Sequence, residues 1–296
     1  MSFGDFKLRG VGAVNASPTN VDGEINEKEY RRHVRFLADA GVSFVQPVAA
    51  TGQALATSGR EYEKVLGWTL DEIGDRVMVT AYTGRDSTEE TVRYTKAAAD
   101  VGVHCVYIMQ PYFSQPDAEG LYRHYATVAE SVEIPIVLYN NPQRAGVSIP
   151  IDVMRRLVNA FPNFVGLKQA DLLQFADSWS ELSDDIHVMP KSEKEMLFGY
   201  ALGSRAVLTF AANIVPAQLV EIHSLWEQQK FDAARAKYRS LTALFNIIHI
   251  EPVPGAIKYM LNRMGWDFGT PRLPIHELSP DSRRAVDAVL GKLQLA

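Results

Sequence analysis

Short apolar, β-branched runs alternate along this chain with longer stretches whose apolar residues recur at helical spacing. The runs fall at 10–16, 43–49, 77–82, 104–110, 135–139, 164–168, 186–190 and 206–210. Near-continuous apolar runs of about four to eight residues suit strands buried on both faces, as in parallel sheets. The helical stretches occupy 27–40, 58–73, 88–101, 118–132, 151–160, 172–183 and 193–202. Pro216 opens another through 228, proline being well suited to a first helical turn. Asn26 and Ser87 are expected N-caps, and Gly41, Gly74, Gly102 and Gly203 expected C-terminal stops. Eight strands each followed by a helix predict an α/β fold closed as a (β/α)8 barrel. The alternative, an open doubly wound sheet, normally carries a G-x-G-x-x-G turn, and none follows the first strand. After 228 the rhythm changes to consecutive helices at 231–249, 254–264 and 279–293, punctuated by Pro252, Pro254, Gly265, Gly269 and Pro271. No flexible linker precedes them. Residues 1–228 are therefore expected to form the barrel that carries the site, and 229–296 a C-terminal helical extension packed on it.

Composition narrows the function classes. The 296 residues are 47% hydrophobic and 22% charged, with a formal net charge of -5. Basic residues are scattered, with no run longer than the pairs Arg31-Arg32, Arg155-Arg156 and Arg283-Arg284, so neither nucleic acid nor a membrane is an expected partner. No apolar run approaches the roughly 20 residues of a membrane helix. The start, Met1-Ser2-Phe3-Gly4-Asp5, has no basic segment leading an apolar core, so no signal peptide is expected. The one cysteine, Cys105, lies in an apolar run and is expected to be a packed, reduced thiol, in keeping with a cytoplasmic location.

If the barrel forms, residues just past each strand line one pocket, because barrel chemistry sits at the C-terminal strand ends. Lys168 closes the run 164–168, and a partly desolvated amine that loses its proton can attack a ketone to form a Schiff base. Tyr139 closes the run before it, and a phenol can shuttle protons. Arg144 follows on a loop stiffened by Pro142, and a guanidinium grips a carboxylate through two parallel bonds. After the second strand, Ala49-Ala50-Thr51-Gly52-Gln53 offers a hydroxyl and backbone N–H groups suited to a carboxylate. Lys191 follows the seventh strand. Inside the pocket it would favour a neutral amine on Lys168, and outside it would simply be a solvated helix start. Tyr112 and Phe113 follow the fourth strand, where an aromatic pair usually serves packing. The seven histidines (His33, His104, His124, His187, His223, His249, His276) show no H-x-H or H-E-x-x-H spacing, which argues against a metal-dependent aldolase.

These residues carry a resemblance. Ala-Thr-Gly-Gln at 50–53, Gln110-Pro111-Tyr112-Phe113, Tyr139-Asn140-Asn141-Pro142 with Arg144, and Gly166-Leu167-Lys168-Gln169-Ala170 resemble motifs of the dihydrodipicolinate synthase and N-acetylneuraminate lyase family. So do Ala201-Leu202-Gly203-Ser204-Arg205-Ala206 and Glu251-Pro252-Val253-Pro254-Gly255-Ala256-Ile257-Lys258. The likeness covers nearly the whole chain. It implies a (β/α)8 TIM barrel with a C-terminal helical extension, a homotetramer built as a dimer of dimers, and no metal or organic cofactor. By position it implies that Lys168 forms an imine with pyruvate or another 2-keto acid and that Tyr139 moves protons. Ala50 and Thr51 match the carboxylate loop, Leu208 a strand-eight position lining the keto-acid pocket, and Arg144 the arginine facing the second substrate's carboxylate.

Departures bear on the substrate. In the synthase branch a hydroxyl relay joins the tyrosine to two further residues, whose matching positions here are Ala50 and Phe113, and neither passes a proton. Gln53 replaces a loop glutamate, Lys191 replaces a glycine, and residues that bind feedback lysine are not recovered around Ala54, Leu55 and Arg85. The expectation is a Schiff-base lyase or aldolase acting on a 2-keto acid, with a sugar-acid aldolase or dehydratase included. Its alternatives are a synthase condensing pyruvate with aspartate semialdehyde and a non-catalytic keto-acid-binding protein.

Overall fold

The computed structural model describes residue 3 and residues 6–295. The expectation of no signal peptide concerns a segment of which Met1, Ser2, Gly4 and Asp5, like Ala296, lie outside the described residues. The eight strands are β1 (Gly10–Val14), β2 (Phe44–Gln46), β3 (Met78–Tyr82), β4 (Cys105–Met109), β5 (Ile136–Asn140), β6 (Phe164–Gln169), β7 (His187–Pro190) and β8 (Ala206–Thr209). Their order is β7-β6-β5-β4-β3-β2-β1-β8. The registered pairs from β1–β2 to β6–β7 are parallel. From β1 to β7 sequence neighbours are sheet neighbours with a helix between them, and β8 lies beside β1, which is the order of a (β/α)8 barrel. A doubly wound sheet reverses its order at a switch point, so that alternative is set aside. The strands are buried along almost their whole length, which explains why their sequences read as apolar runs rather than alternating ones.

Helix ends follow their local chemistry. Asn26 and Ser87 accept from the Glu29 and Glu90 backbone N–H groups, satisfying first-turn donors. Gly102 ends the helix Thr88–Val101 at φ +98°, a conformation glycine adopts without a Cβ penalty. Gly74 also stops its helix as expected: it caps Gly59–Ile73 in a right-handed conformation, its N–H bonded to the Leu70 carbonyl. The helix expected at 193–202 is a 3₁₀ turn, Glu193–Glu195, followed by an α-helix, Met196–Leu202.

Contacts gather the chain into two compact units. The first holds 80–191 and 198–207 with the N-terminal stretch up to Arg9, and so includes β4 to β7. The second holds 10–79, 192–197 and 208–296, and so includes β1, β2 and the C-terminal helices. In the second, Phe231–Ile247 packs on Pro216–Glu227 and on Pro280–Leu293. Among the described residues, no helix is long and apolar enough to cross a membrane.

Candidate active site

The first unit brings Lys168 and Tyr139 together. They are register partners on β6 and β5, so their side chains leave the sheet side by side. Lys168 is only 3% exposed, and its Nζ lies 4.5 Å from the centroid of the Tyr139 ring. The phenol oxygen of Tyr139 accepts from Asn141 Nδ2 at 2.8 Å. With that lone pair taken by a donor, the phenolic proton is aimed elsewhere. Asn141 Oδ1 is buried with no hydrogen-bond partner. Sequence reasoning missed Asn141 because an asparagine before proline reads as turn chemistry.

A polar network fixes this pair from the neighbouring positions. Asn140 Nδ2 donates to Gln169 Oε1 at 2.9 Å, Gln174 Oε1 at 3.1 Å and Ser148 Oγ at 3.1 Å. Asn140 Oδ1 accepts from the Ile149 N–H at 3.0 Å and from Gln110 Nε2 at 3.1 Å. Asn140 follows Tyr139, and Gln169 follows Lys168. Buried amides satisfied on both ends therefore set the backbone that aims the two reactive groups.

Arg144 sits not on an open loop but on one helical turn, Pro142–Ala145, with Pro142 in its first position. Burial holds the Tyr82 phenol well above its ordinary value, and that phenol also feels the charges of Arg85, Tyr139, Tyr112 and Arg144. Arg144 and Tyr139 thus share the surroundings of one buried phenol. Lys191 Nζ donates to Gln143 Oε1 at 3.1 Å. It lines a cavity of about 450 Å³ with Pro142, Gln143, Ala170, Asp171, Leu172 and Leu173.

Phe113 does not join Lys168 and Tyr139. Its ring is 87% exposed, because Asp86 Oδ1 holds the 113–114 backbone by accepting from both N–H groups at 2.7 and 3.1 Å and leaves the side chain outward. In the second unit, Ala50 is exposed, and Thr51 is fully buried with its Oγ1 lacking a hydrogen-bond partner. Leu208 is fully buried on β8. Cys105 is buried, and burial pushes its thiol well above the ordinary range, so it is no nucleophile. Among the described residues, no group of three or more His, Cys, Asp or Glu has the geometry of a metal site.

A buried amine beside a hydrogen-bonded phenol at parallel strand ends is the equipment of imine chemistry, and comparison with known proteins agrees. The family model for the dihydrodipicolinate synthetase family matches residues 7–293.

The chain belongs to the dihydrodipicolinate synthetase family.

Within it, the chain is 33% identical over 290 residues to the 4-hydroxy-tetrahydrodipicolinate synthase of Methanococcus vannielii, covering 97% of this chain and 99% of that one. The dihydrodipicolinate synthase of Aquifex aeolicus superposes with a TM-score of 0.94 at 29% identity, over 97% and 99% of the two chains. The Acinetobacter baumannii enzyme, solved in complex with pyruvate, gives 0.94 at 29% identity over 98% and 100%. Membership of the dihydrodipicolinate synthetase family makes the chain a class I, Schiff-base-forming lyase on a (β/α)8 barrel, and favours the enzyme over the binding-protein alternative.

Proposed function

We propose that Lys168 attacks the ketone of pyruvate or a related 2-keto acid, with Tyr139 moving the protons. The observation that carries this reading is the buried Lys168 Nζ lying 4.5 Å from the Tyr139 ring centroid. The amine adds to the keto carbon, water leaves, and the protonated imine draws electrons from the neighbouring bond. Loss of a proton from the adjacent carbon gives an enamine. That enamine either adds to an aldehyde or forms in reverse when an aldol bond breaks, and its expulsion of a hydroxyl would be a dehydration. Thr51 and the backbone of Ala50 would take the keto-acid carboxylate, and Leu208 would bound the methyl end.

Arg144 and Lys191 supply two positive charges for the far substrate, which favours a second substrate bearing an anionic end. Relatives named as 4-hydroxy-tetrahydrodipicolinate synthases favour condensation with aspartate semialdehyde. The missing hydroxyl at Ala50 favours an acidic deoxy sugar, whose own hydroxyls can pass the proton. A coupled assay of pyruvate with aspartate semialdehyde, run beside cleavage and dehydration of 2-keto-3-deoxy sugar acids, separates the two. Turnover on neither panel would remove both substrate assignments.

The same reading takes 1–228 as the barrel, 229–296 as its extension, a cytoplasmic location and a homotetramer. Exposed Phe113, Leu172, Leu173 and Phe198 offer apolar surface for subunit contacts.

A further inference from the structure

The turn that carries Thr51 is held from the far end of the chain. Two of its residues have left-handed backbone without being glycine, Val48 at φ 47° and Gln53 at φ 55°. A β-branched residue there is a genuine outlier, and such conformations persist only where the surroundings over-determine them. Gly52, between them, has no room for a side chain: a Cβ would stand 2.8 Å from Val48 Cα and 3.1 Å from Ser17 Oγ.

Arg272 supplies the restraint. Its backbone N–H donates to Gln53 Oε1 at 2.8 Å, and Gln53 Nε2 donates back to the Arg272 carbonyl at 2.7 Å. Its guanidinium donates from Nε to the Gly23 carbonyl at 2.8 Å and from Nη1 to the Ala56 carbonyl at 3.0 Å. Nη1 and Nη2 also grip the two carboxylate oxygens of Glu61 at 2.7 and 2.5 Å. One residue thus ties the segment after β1, the C-terminal side of the turn after β2, and the first turn of Gly59–Ile73. Two residues earlier, Lys258 Nζ donates to the Thr270 carbonyl and to Thr19 Oγ1, both at 2.9 Å, fastening the same stretch of tail. A glutamine at 53 fits this pairing where a glutamate would not, because only an amide both accepts from one backbone group and donates to the other.

We propose that Arg272, through its backbone pairing with Gln53 and its guanidinium's hold on Ala56 and Glu61, is a positioning residue for keto-acid binding: it holds the 48–53 turn in its strained form, so that Thr51 Oγ1 stays presented to the substrate carboxylate. This rests on the lysine-imine reading above. Arg272 itself does not touch substrate, so its loss weakens keto-acid binding while sparing the imine chemistry once the site is filled.

The test measures cyanoborohydride trapping on Lys168 as a function of pyruvate concentration in the wild-type protein and in Q53A, Q53E and R272K, each first checked for native circular dichroism. The wild-type protein should trap. Half-saturating pyruvate should rise about tenfold in the variants, equivalent to about 1.4 kcal/mol, with plateau rates within about twofold. The double variant Q53A/R272K should be worse than either single change, since Q53A removes the pairing to the 272 backbone and R272K loosens only the guanidinium's hold on Gly23, Ala56 and Glu61. Unchanged half-saturation in folded variants, or a lowered plateau alone, overturns the proposal and leaves the imine reading standing. No trapping in the wild-type protein with any 2-keto acid overturns both.

Discussion

The phenol of Tyr139 is useful only because of what surrounds its oxygen. Asn141 donates to it, and the Lys168 amine lies over its ring. Y139F should lower kcat by about 100- to 10,000-fold, the range for a positioned acid–base group, and should slow adduct formation without moving the adduct from Lys168. N141A should give a smaller loss, about tenfold, with the pH optimum displaced; an unaltered pH–rate profile would count against the role of Asn141. Two buried histidines give a different test. Burial pushes His33 and His124 down to about 4, so both stay neutral in the folded protein. The unfolded chain takes up protons below about 6.5, which the folded chain refuses until about 4. Stability from these groups is therefore complete above about pH 6.5 and is lost as pH falls toward 4, by up to about 3 kcal/mol each. Urea midpoints measured from about pH 6.5 to 4 should fall, and a level series across that range would contradict this. The pairing of Lys168 with Tyr139 was legible from sequence because each closes an apolar run. Asn141 was not, because its role depends on the phenol two residues back, which spacing alone does not reveal.

Element boundaries were legible wherever burial on both faces made strands continuous, and wherever a cap residue marked a helix. They were less so where backbone geometry decided. The Pro142 loop became a helical turn. The Asn140 network was invisible in sequence because its partners, Gln110, Ser148, Gln169 and Gln174, come from separate elements. N140A should leave several buried polar groups unpaired and cost about 2 to 4 kcal/mol. Denaturant unfolding gives the loss directly. A change below about 0.5 kcal/mol would mean that water or neighbouring groups already satisfy the network.

For the molecule as a whole, family membership and strand order agree on the barrel, while the proposed homotetramer draws on exposed apolar side chains. L173D should reduce the assembly mass in sedimentation velocity, since Leu173 is 89% exposed on the isolated chain; an unchanged mass would place the contact elsewhere. Burial and the charge of Arg272 push Lys258 down to about 7. Between about 7 and 10.5 the unfolded chain holds a proton that the folded chain has released, so this group makes stability rise with pH across that window. K258M should flatten that rise. The claim on which all the chemistry depends is covalent attachment at Lys168, and borohydride reduction in the presence of pyruvate followed by peptide mapping tests it most directly. One reduced adduct per chain on Lys168, absent in K168A, is the expected result; an adduct on another lysine, or none with any 2-keto acid, would contradict it.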